Sequence, residues 1–357
     1  MTKKNNIKAN RPTPITEEIN VFPFDKNTNY KIAVEALLDG DFVLIVDFYS
    51  TGLSLLNKLK NYLQQEYSNN SFQEQRDYRS KYQELSNKIL LDISNNKISV
   101  KKAPKIGWLQ KLYPEIKDFA LPFPKVQGLN SSWQWYKKGI FIPVLNEKIY
   151  PYYGTYFPTR FEHLELFDDF LKNYNGEKKT AFDIGIGSGI LSFQMVKHNF
   201  KEIIGTDTNP NSIIGLSEVV KNNEDYSKVK LINGNLFANC KTQADIIVFN
   251  PPWLPANSNI EGLDNAIYYN SSLFFNFFKE AKKALKPEGK IILLFSNLAQ
   301  VTGVSKINPI EEEVAKGKLY KKDLLLKKTV KSASNKTKRN QNWRSSENVE
   351  LWVLSHK

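Results

Sequence analysis

The sequence predicts an α/β protein in which a largely parallel sheet, covered by helices on both faces, follows a mostly helical N-terminal unit. Three observations predict it. After Pro158, apolar runs of strand length alternate with amphipathic stretches of helix length, the pattern of βαβ units. One predicted strand runs straight into a glycine-rich turn, Asp183-Ile-Gly185-Ile-Gly187-Ser-Gly189. An acid, Asp207, closes the next strand 18 residues beyond Gly189, the reach of one crossover helix and one strand.

Taken in order, residues 1 to about 28 are polar and rich in Asn, Lys and Pro, and read as an arm. From Tyr30 the text becomes helical, with Ile32, Val34, Leu37 and Leu38 near one face. Phe42–Val46 reads as a short buried strand or as part of a core helix, which periodicity does not separate. Residues 51–66 and about 71–95 read as two amphipathic helices, so 1–125 is assigned to a mostly helical domain, a candidate for substrate recognition. Prolines interrupt 126–160, where 141–145, the turn 146–148 and 149–153 read as a β-hairpin. The third region, 161–357, starts with a helix over 161–174. Strands at 181–186 and 202–207 alternate with helices at 189–199 and 210–223. Strands at 229–234 and 245–250, a helix at 271–285 and a strand at 290–297 follow. Two final strands, 320–330 and 349–355, flank a basic loop.

Composition narrows the function. With 357 residues, 41% hydrophobic and 24% charged, the chain is ordinary globular material rather than a disordered or collagen-like one. A single cysteine, Cys240, excludes an internal disulfide framework, and three histidines (His163, His198, His356) argue against a structural zinc site. The N-terminus lacks the apolar stretch of a secretory signal, and no apolar run approaches the ~20 residues needed to span a bilayer. A cytoplasmic protein with no membrane contact is expected. Fifty Lys and Arg against 37 acids give a net charge of +13, which makes polyanions plausible partners.

Four constellations carry chemistry. The glycines at 185, 187 and 189 permit left-handed backbone and close approach of a ligand to N–H groups at a helix N-terminus. A dinucleotide fingerprint would need a further glycine where this chain has Ile190, so the pattern is acid-x-Gly-x-Gly-x-Gly, that of S-adenosylmethionine (SAM) sites. A tight ligand-free turn is the competing reading. Asp207 can accept both ribose hydroxyls, or it or Asn209 can cap the helix that begins at Pro210. Asn235, after the third strand, can accept from an adenine amino group, or be an ordinary turn residue. The most informative is Asn250-Pro251-Pro252-Trp253, directly after an apolar strand. Two prolines cannot continue a ladder and make a stiff loop at the strand's carboxyl end, where ligands of open α/β sheets bind. The Asn250 side-chain carbonyl and the Pro251 backbone carbonyl can act as two acceptors for a planar –NH2, and Trp253 can stack on that group or face a sulfonium.

Asp183–Gly189, Asp207 and Asn250–Trp253, in that order on successive strands, resemble the class I SAM-dependent methyltransferases. The tetrapeptide is similar to the Asn-Pro-Pro-aromatic motif of their amino- and amide-methylating branch. That branch includes release-factor glutamine methyltransferases, adenine-N6 enzymes and the small-domain guanine-N2 enzymes. Phe157–Glu162 resembles, with arginine and threonine exchanged, the segment that precedes the first glycine motif in the glutamine methyltransferases. Trp253 replaces their usual tyrosine. The chain is also similar to a bacterial group of uncharacterised methyltransferases. The resemblance covers about 155–357. It implies a Rossmann-like seven-stranded methyltransferase sheet of order 3-2-1-4-5-7-6 with the last strand antiparallel. It implies SAM as cofactor, bound by Asp183, Gly185, Gly187, Gly189, Asp207, Asn235, Thr159 and Arg160, with catalysis at Asn250–Trp253. The implied reaction is methyl transfer to an amide or amino nitrogen of a macromolecule, a protein glutamine first, with an RNA or DNA base as the alternative and a non-catalytic SAM- or RNA-binding module as a third reading.

The charge is concentrated. Residues 316–344 hold eleven Lys/Arg and one acid, Asp323, or +10 of the total +13. This segment reads as a polyanion patch or as a solvated basic loop. Tyr150, Tyr152, Tyr153, Tyr156 and Phe157 can roof a pocket or stack bases, or belong to the core between hairpin and sheet.

Overall fold

Short apolar runs in the N-terminal part of the chain pair into a sheet. The computed structural model describes residues 7–66, 72–256, 267–316, 318–331 and 346–357. The chain divides into two compact units, Arg11–Lys138 and a second made of Gly139–Lys357 with the chain's start up to Asn10.

In the first unit the elements are β1 (Val21–Phe24), α1 (Tyr30–Asp39), β2 (Phe42–Ile45), α2 (Tyr49–Glu66), α3 (Phe72–Ser86), β3 (Ile89–Ser94), β4 (Lys97–Ile98), α4 (Trp108–Leu112), β5 (Phe119–Pro122) and α5 (Phe123–Lys138). Strands β1, β2 and β3 are parallel, and β4 and β5 pair antiparallel with β3. The mostly helical domain expected over 1–125 ends at Lys138 and holds, among its helices, a five-stranded sheet that was not foreseen. The run at 42–46 is a strand, and the helix foreseen over 71–95 stops at Ser86. The reason is burial: Ile89, Leu90 and Leu91 are consecutive and fully buried, which a strand covered on both faces accommodates and an amphipathic helix does not. Helix α5 belongs here because Phe123, Val126 and Leu129 are buried in this unit's core.

The second unit opens with a hairpin, β6 (Ile140–Ile142) and β7 (Glu147–Ile149), so the foreseen hairpin over 141–153 is present but its second strand uses residues assigned to the turn. Then come α6 (Glu162–Asn173), β8 (Thr180–Ile184), α7 (Ile190–Lys197), β9 (Glu202–Asp207), α8 (Pro210–Asn222), β10 (Val229–Asn233) and β11 (Ala244–Phe249). Short strands β12 (Leu254–Pro255) and β13 (Tyr268–Tyr269) precede α9 (Leu273–Ala284), β14 (Leu285–Ser296), α10 (Leu298–Val301), α11 (Pro309–Lys316), β15 (Tyr320–Thr329) and β16 (Asn348–His356).

The seven-stranded sheet runs β10-β9-β8-β11-β14-β16-β15, which within this unit is the anticipated order 3-2-1-4-5-7-6. All pairs are parallel except the two made by β16. Alternation along β14 shows why its sequence is continuously apolar: Ile292 and Leu294 enter one core layer with α6, α7 and α8, while Ile291, Leu293 and Phe295 enter the other with α9. At the sheet's amino edge Asp245 accepts from the N–H groups of Lys179 and Thr180 and from Lys286 Nζ.

Phe277 is fully buried and stacks against Phe249 at 4.8 Å between centroids, beneath the strand that carries Asn250. Phe277→Ala should cost about 3–5 kcal/mol, read as a lowered urea midpoint with an unchanged slope.

Candidate active site

Parallel register decides where the chemistry can lie. Ile184 pairs with Thr206 and with Phe249, and Asn233 pairs with Asp207. The residues that follow, Gly185, Asp207, Asn235 and Asn250, therefore leave the sheet along one carboxyl edge. Neighbours β9 and β11 lie on opposite sides of β8, so the crevice opens at the point where strand order reverses.

The glycine turn has the backbone the motif demands. Gly185, Gly187 and Gly189 have φ of +67°, +52° and +82°, values that other residues adopt only at a steric cost. At Gly189 a Cβ would also come within 2.6 Å of Leu216 Cδ2 and 2.9 Å of Phe193 Cζ. Gly187 N–H donates to Asp207 Oδ2 at 2.8 Å, and Asn209 N–H to Asp207 Oδ1 at 2.8 Å. Capping falls to Asn209, whose side chain accepts from Asn211 N–H, which leaves the Asp207 carboxylate at the strand tip beside the turn. Burial pushes the Asp207 carboxyl above the usual range, against the stabilising bonds from Asn209 and Gly187.

Asp183 is fully buried. Ser192 Oγ donates to its Oδ2 at 2.7 Å, while Oδ1 has no partner. Burial raises its carboxyl from 3.8 to about 7.

The segment ahead of α6 crosses the turn. A Cβ on Gly187 would lie 3.6 Å from the Tyr156 carbonyl. Asn209 Nδ2 donates to Gly154 O at 2.7 Å and Asn211 Nδ2 to Tyr153 O at 2.8 Å, tying this segment to the start of α8. Thr155 is buried, with its hydroxyl unpartnered. It was not singled out from sequence, where a threonine between a glycine and a tyrosine gives no signal. Tyr152 belongs to the core, packed where a Cβ on Gly215 would stand, whereas Tyr150 and Tyr156 are exposed. Of the two residues carried over from the glutamine enzymes, Thr159 is exposed, and Arg160 Nη1 donates at 2.7 Å to the fully buried Glu347. Asn235 is exposed, and its backbone carbonyl accepts from Ala238 N–H. The next residue, Leu236, is held at φ +47°, a strained conformation of the kind that gathers at ligand sites.

In the Asn250–Trp253 loop, Pro251 is buried and Asn250 half-buried. Trp253 Nε1–H donates to Asn250 Oδ1 at 3.1 Å and to Leu294 O at 3.3 Å. His163 meets Trp253 edge-on, with centroids 5.8 Å apart at 90°. His163 is 3% exposed with Nδ1 unpartnered, and burial lowers its pKa to about 4, so it is neutral near pH 7. Among the described residues no group of three or more His, Cys, Asp or Glu could hold a metal ion, and no helix is long and apolar enough to cross a membrane.

Residues 165–322 match the methyltransferase small domain family. The chain carries a class I SAM-dependent methyltransferase domain. Over 149 residues it is 29% identical to a Methanocaldococcus jannaschii protein named as a protein N5-glutamine methyltransferase, a match that covers 39% of this chain and 74% of the relative. Over 143 residues it is 29% identical to a bifunctional methyltransferase of Rickettsia conorii, covering 35% of this chain and only 26% of that one. A solved ribosomal protein L11 methylase from Lactobacillus delbrueckii subsp. bulgaricus aligns over 59% of this chain and 86% of its own, at 19% identity and a TM-score of 0.40. The residues present suit SAM: positive-φ glycines clear space for close approach, a carboxylate stands at the tip of β9, and unpartnered buried oxygens remain on Asp183 and Thr155.

Asp183 generates a pH prediction for the methyltransferase without added SAM. Its folded pKa lies above the unfolded 3.8, so its contribution to stability is complete below pH ~4 and is lost as pH rises through about 7. Between those limits the urea midpoint of Asp183→Asn should gain on that of the wild type as pH rises, a trend that titrated unfolding curves would read.

Proposed function

We propose that the methyltransferase modifies the side-chain amide nitrogen of a protein glutamine. The observation that carries this reading is Asn250 Oδ1, held at the carboxyl edge at the head of a stiff Pro-Pro loop, one strand away from the glycine turn. A primary carboxamide offers two N–H donors, and Asn250 Oδ1 with the Pro251 carbonyl offers two acceptors. The M. jannaschii relative, named for this amide chemistry, aligns over 39% of the chain.

When bound, SAM supplies an electrophilic methyl group on a sulfonium. The chain's own part is positioning, which can supply much of a rate enhancement. Asp207 and the turn orient the ribose, as donors and acceptors fixed before the ligand arrives. Asn250 and Pro251 hold the amide nitrogen so that its lone pair faces away from both carbonyls, and they take up the positive charge that grows on its hydrogens. The nitrogen loses its proton once it is alkylated, so no strong base is required. His163 is buried and neutral near pH 7.

A nucleic-acid base as acceptor, bound through the basic segment 316–344, is the second reading. Among the described residues Lys316, Lys318, Lys321, Lys322, Lys327 and Lys331 are exposed there. Three lysines of the segment are ion-paired: Lys316 with Glu312, Lys327 with Glu350 and Lys328 with Glu165. The remainder of the patch, from 332 to 344, lies outside the described residues.

Asp207→Ala should weaken SAM binding about 100-fold, since charge-assisted hydrogen bonds to a ligand contribute roughly 1.5–3 kcal/mol each; calorimetry reads it, and undiminished affinity would remove Asp207 from the site. Asn250→Ala should keep SAM affinity and slow methyl transfer by ~10²-fold or more. Labelled methyl transferred into a lysate from cells lacking the protein should survive nuclease and be lost to protease; the reverse would overturn the glutamine reading in favour of the nucleic acid.

A further inference from the structure

The indole of Trp253 does more than fill the fourth place of the loop. Its Nε1–H is shared between two acceptors, Asn250 Oδ1 at 3.1 Å and the carbonyl of Leu294 at 3.3 Å. Leu294 is fully buried in β14, which is flanked by β11 and β16, so that acceptor is part of the rigid scaffold. His163 closes the ring's other approach, edge-on and at a right angle. Trp253 itself packs against the core layers on both faces of the sheet.

An indole N–H can only donate. Of the two ways an asparagine amide can be turned, it accepts only the one that presents Oδ1, so the Trp253 bond fixes which end of Asn250 faces which way. A tyrosine hydroxyl, able both to donate and to accept, would tolerate either end. Oδ1 carries two lone pairs. One is taken by Trp253, and the second is left for one N–H of the incoming amide.

We propose that Trp253 is a positioning residue: through its indole N–H it locks the Asn250 amide with Oδ1 toward the methyl acceptor, anchoring that amide to β14. The role rests on the assignment of Asn250 as the group that receives the acceptor nitrogen. It is distinct from stacking on the substrate, which would need the ring's face and not its N–H. Loss of the N–H frees the Asn250 amide to turn its Nδ2 toward the substrate, where a donor would meet a donor.

The test is Trp253→Phe, with benzothienylalanine at the same position as a second variant that keeps the ring's shape and replaces only the N–H by sulfur. Label transfer into lysate protein serves as the assay, and calorimetry gives SAM affinity. Both variants should lower kcat about tenfold, the scale of one hydrogen bond, with SAM affinity and the KM for SAM unchanged within twofold. Trp253→Phe combined with Asn250→Ala should be no slower than Asn250→Ala alone. In a nitrogen-15 spectrum the indole N–H resonance that disappears in Trp253→Phe should move in Asn250→Ala. Wild-type kcat in the benzothienylalanine variant, multiplied penalties in the double variant, or an unmoved resonance would each overturn the proposal. Should the wild-type label prove nuclease-sensitive, the glutamine reading fails by itself, and the same double-variant comparison on that nucleic acid still decides the role of Trp253.

Discussion

Everything at the candidate active site depends on one constraint, the parallel in-register pairing of β9, β8 and β11. Because Ile184 sits beside both Thr206 and Phe249, three chain reversals occur at the same height, and their first residues share one edge. A slip of one residue in any pair would turn the following side chain to the opposite face. The burial of both faces of these strands, down to completely enclosed Ala181, Phe182, Ile247 and Val248, is what prevents such a slip. The core is therefore what brings Asp207 to Gly187 and sets Asn250 one strand away.

The two edges of the sheet treat buried acids in opposite ways. At the amino edge Asp245 is almost fully buried, yet two backbone N–H groups and Lys286 satisfy it and hold its carboxyl below the usual range despite the burial that opposes this. At the carboxyl edge Asp183 has a single donor, Ser192, an oxygen with no partner and a raised pKa. Buried polar atoms are normally satisfied, and those that are not call for an explanation. The unpartnered atoms of Asp183, Thr155, Glu162 and His163 lie on the glycine-motif strand or on the segment and first turn of α6 that adjoin the motif loops. Asp245 and Asp183 thus differ in satisfaction and not in depth.

The methyltransferase sheet was legible in the sequence because its signals are local and redundant. Strands β9, β11 and the second half of β14 are short apolar runs, and the marked turns Gly185–Gly189 and Asn250–Trp253 directly follow β8 and β11. Asp207 was legible from its spacing, although its competition with Asn209 for the cap could be resolved only by the observed bond from Asn209 to Asn211 N–H. The sheet of the N-terminal unit was missed because its strands are short. Val21–Phe24 and Phe42–Ile45 span four residues each, too few for alternation to register, and Ile89–Ser94 follows a helix with no Gly or Pro between them. Pairs between residues far apart in sequence, such as Arg160 with Glu347, leave no trace in any local pattern.

That last pair bears on how the segment before α6 is held. Glu347 is completely buried and accepts from Ser296 Oγ as well as from Arg160. Removing one partner of such a pair leaves an uncompensated charge, which costs far more than the pair itself contributes. Ser296 ends β14, the strand whose Leu294 carbonyl receives the Trp253 indole. The residues before α6 and the Asn250–Trp253 loop are therefore both referenced to the end of one central strand, a few residues apart. Two segments with no regular structure of their own thus share one anchor in a third element, the carboxyl end of β14.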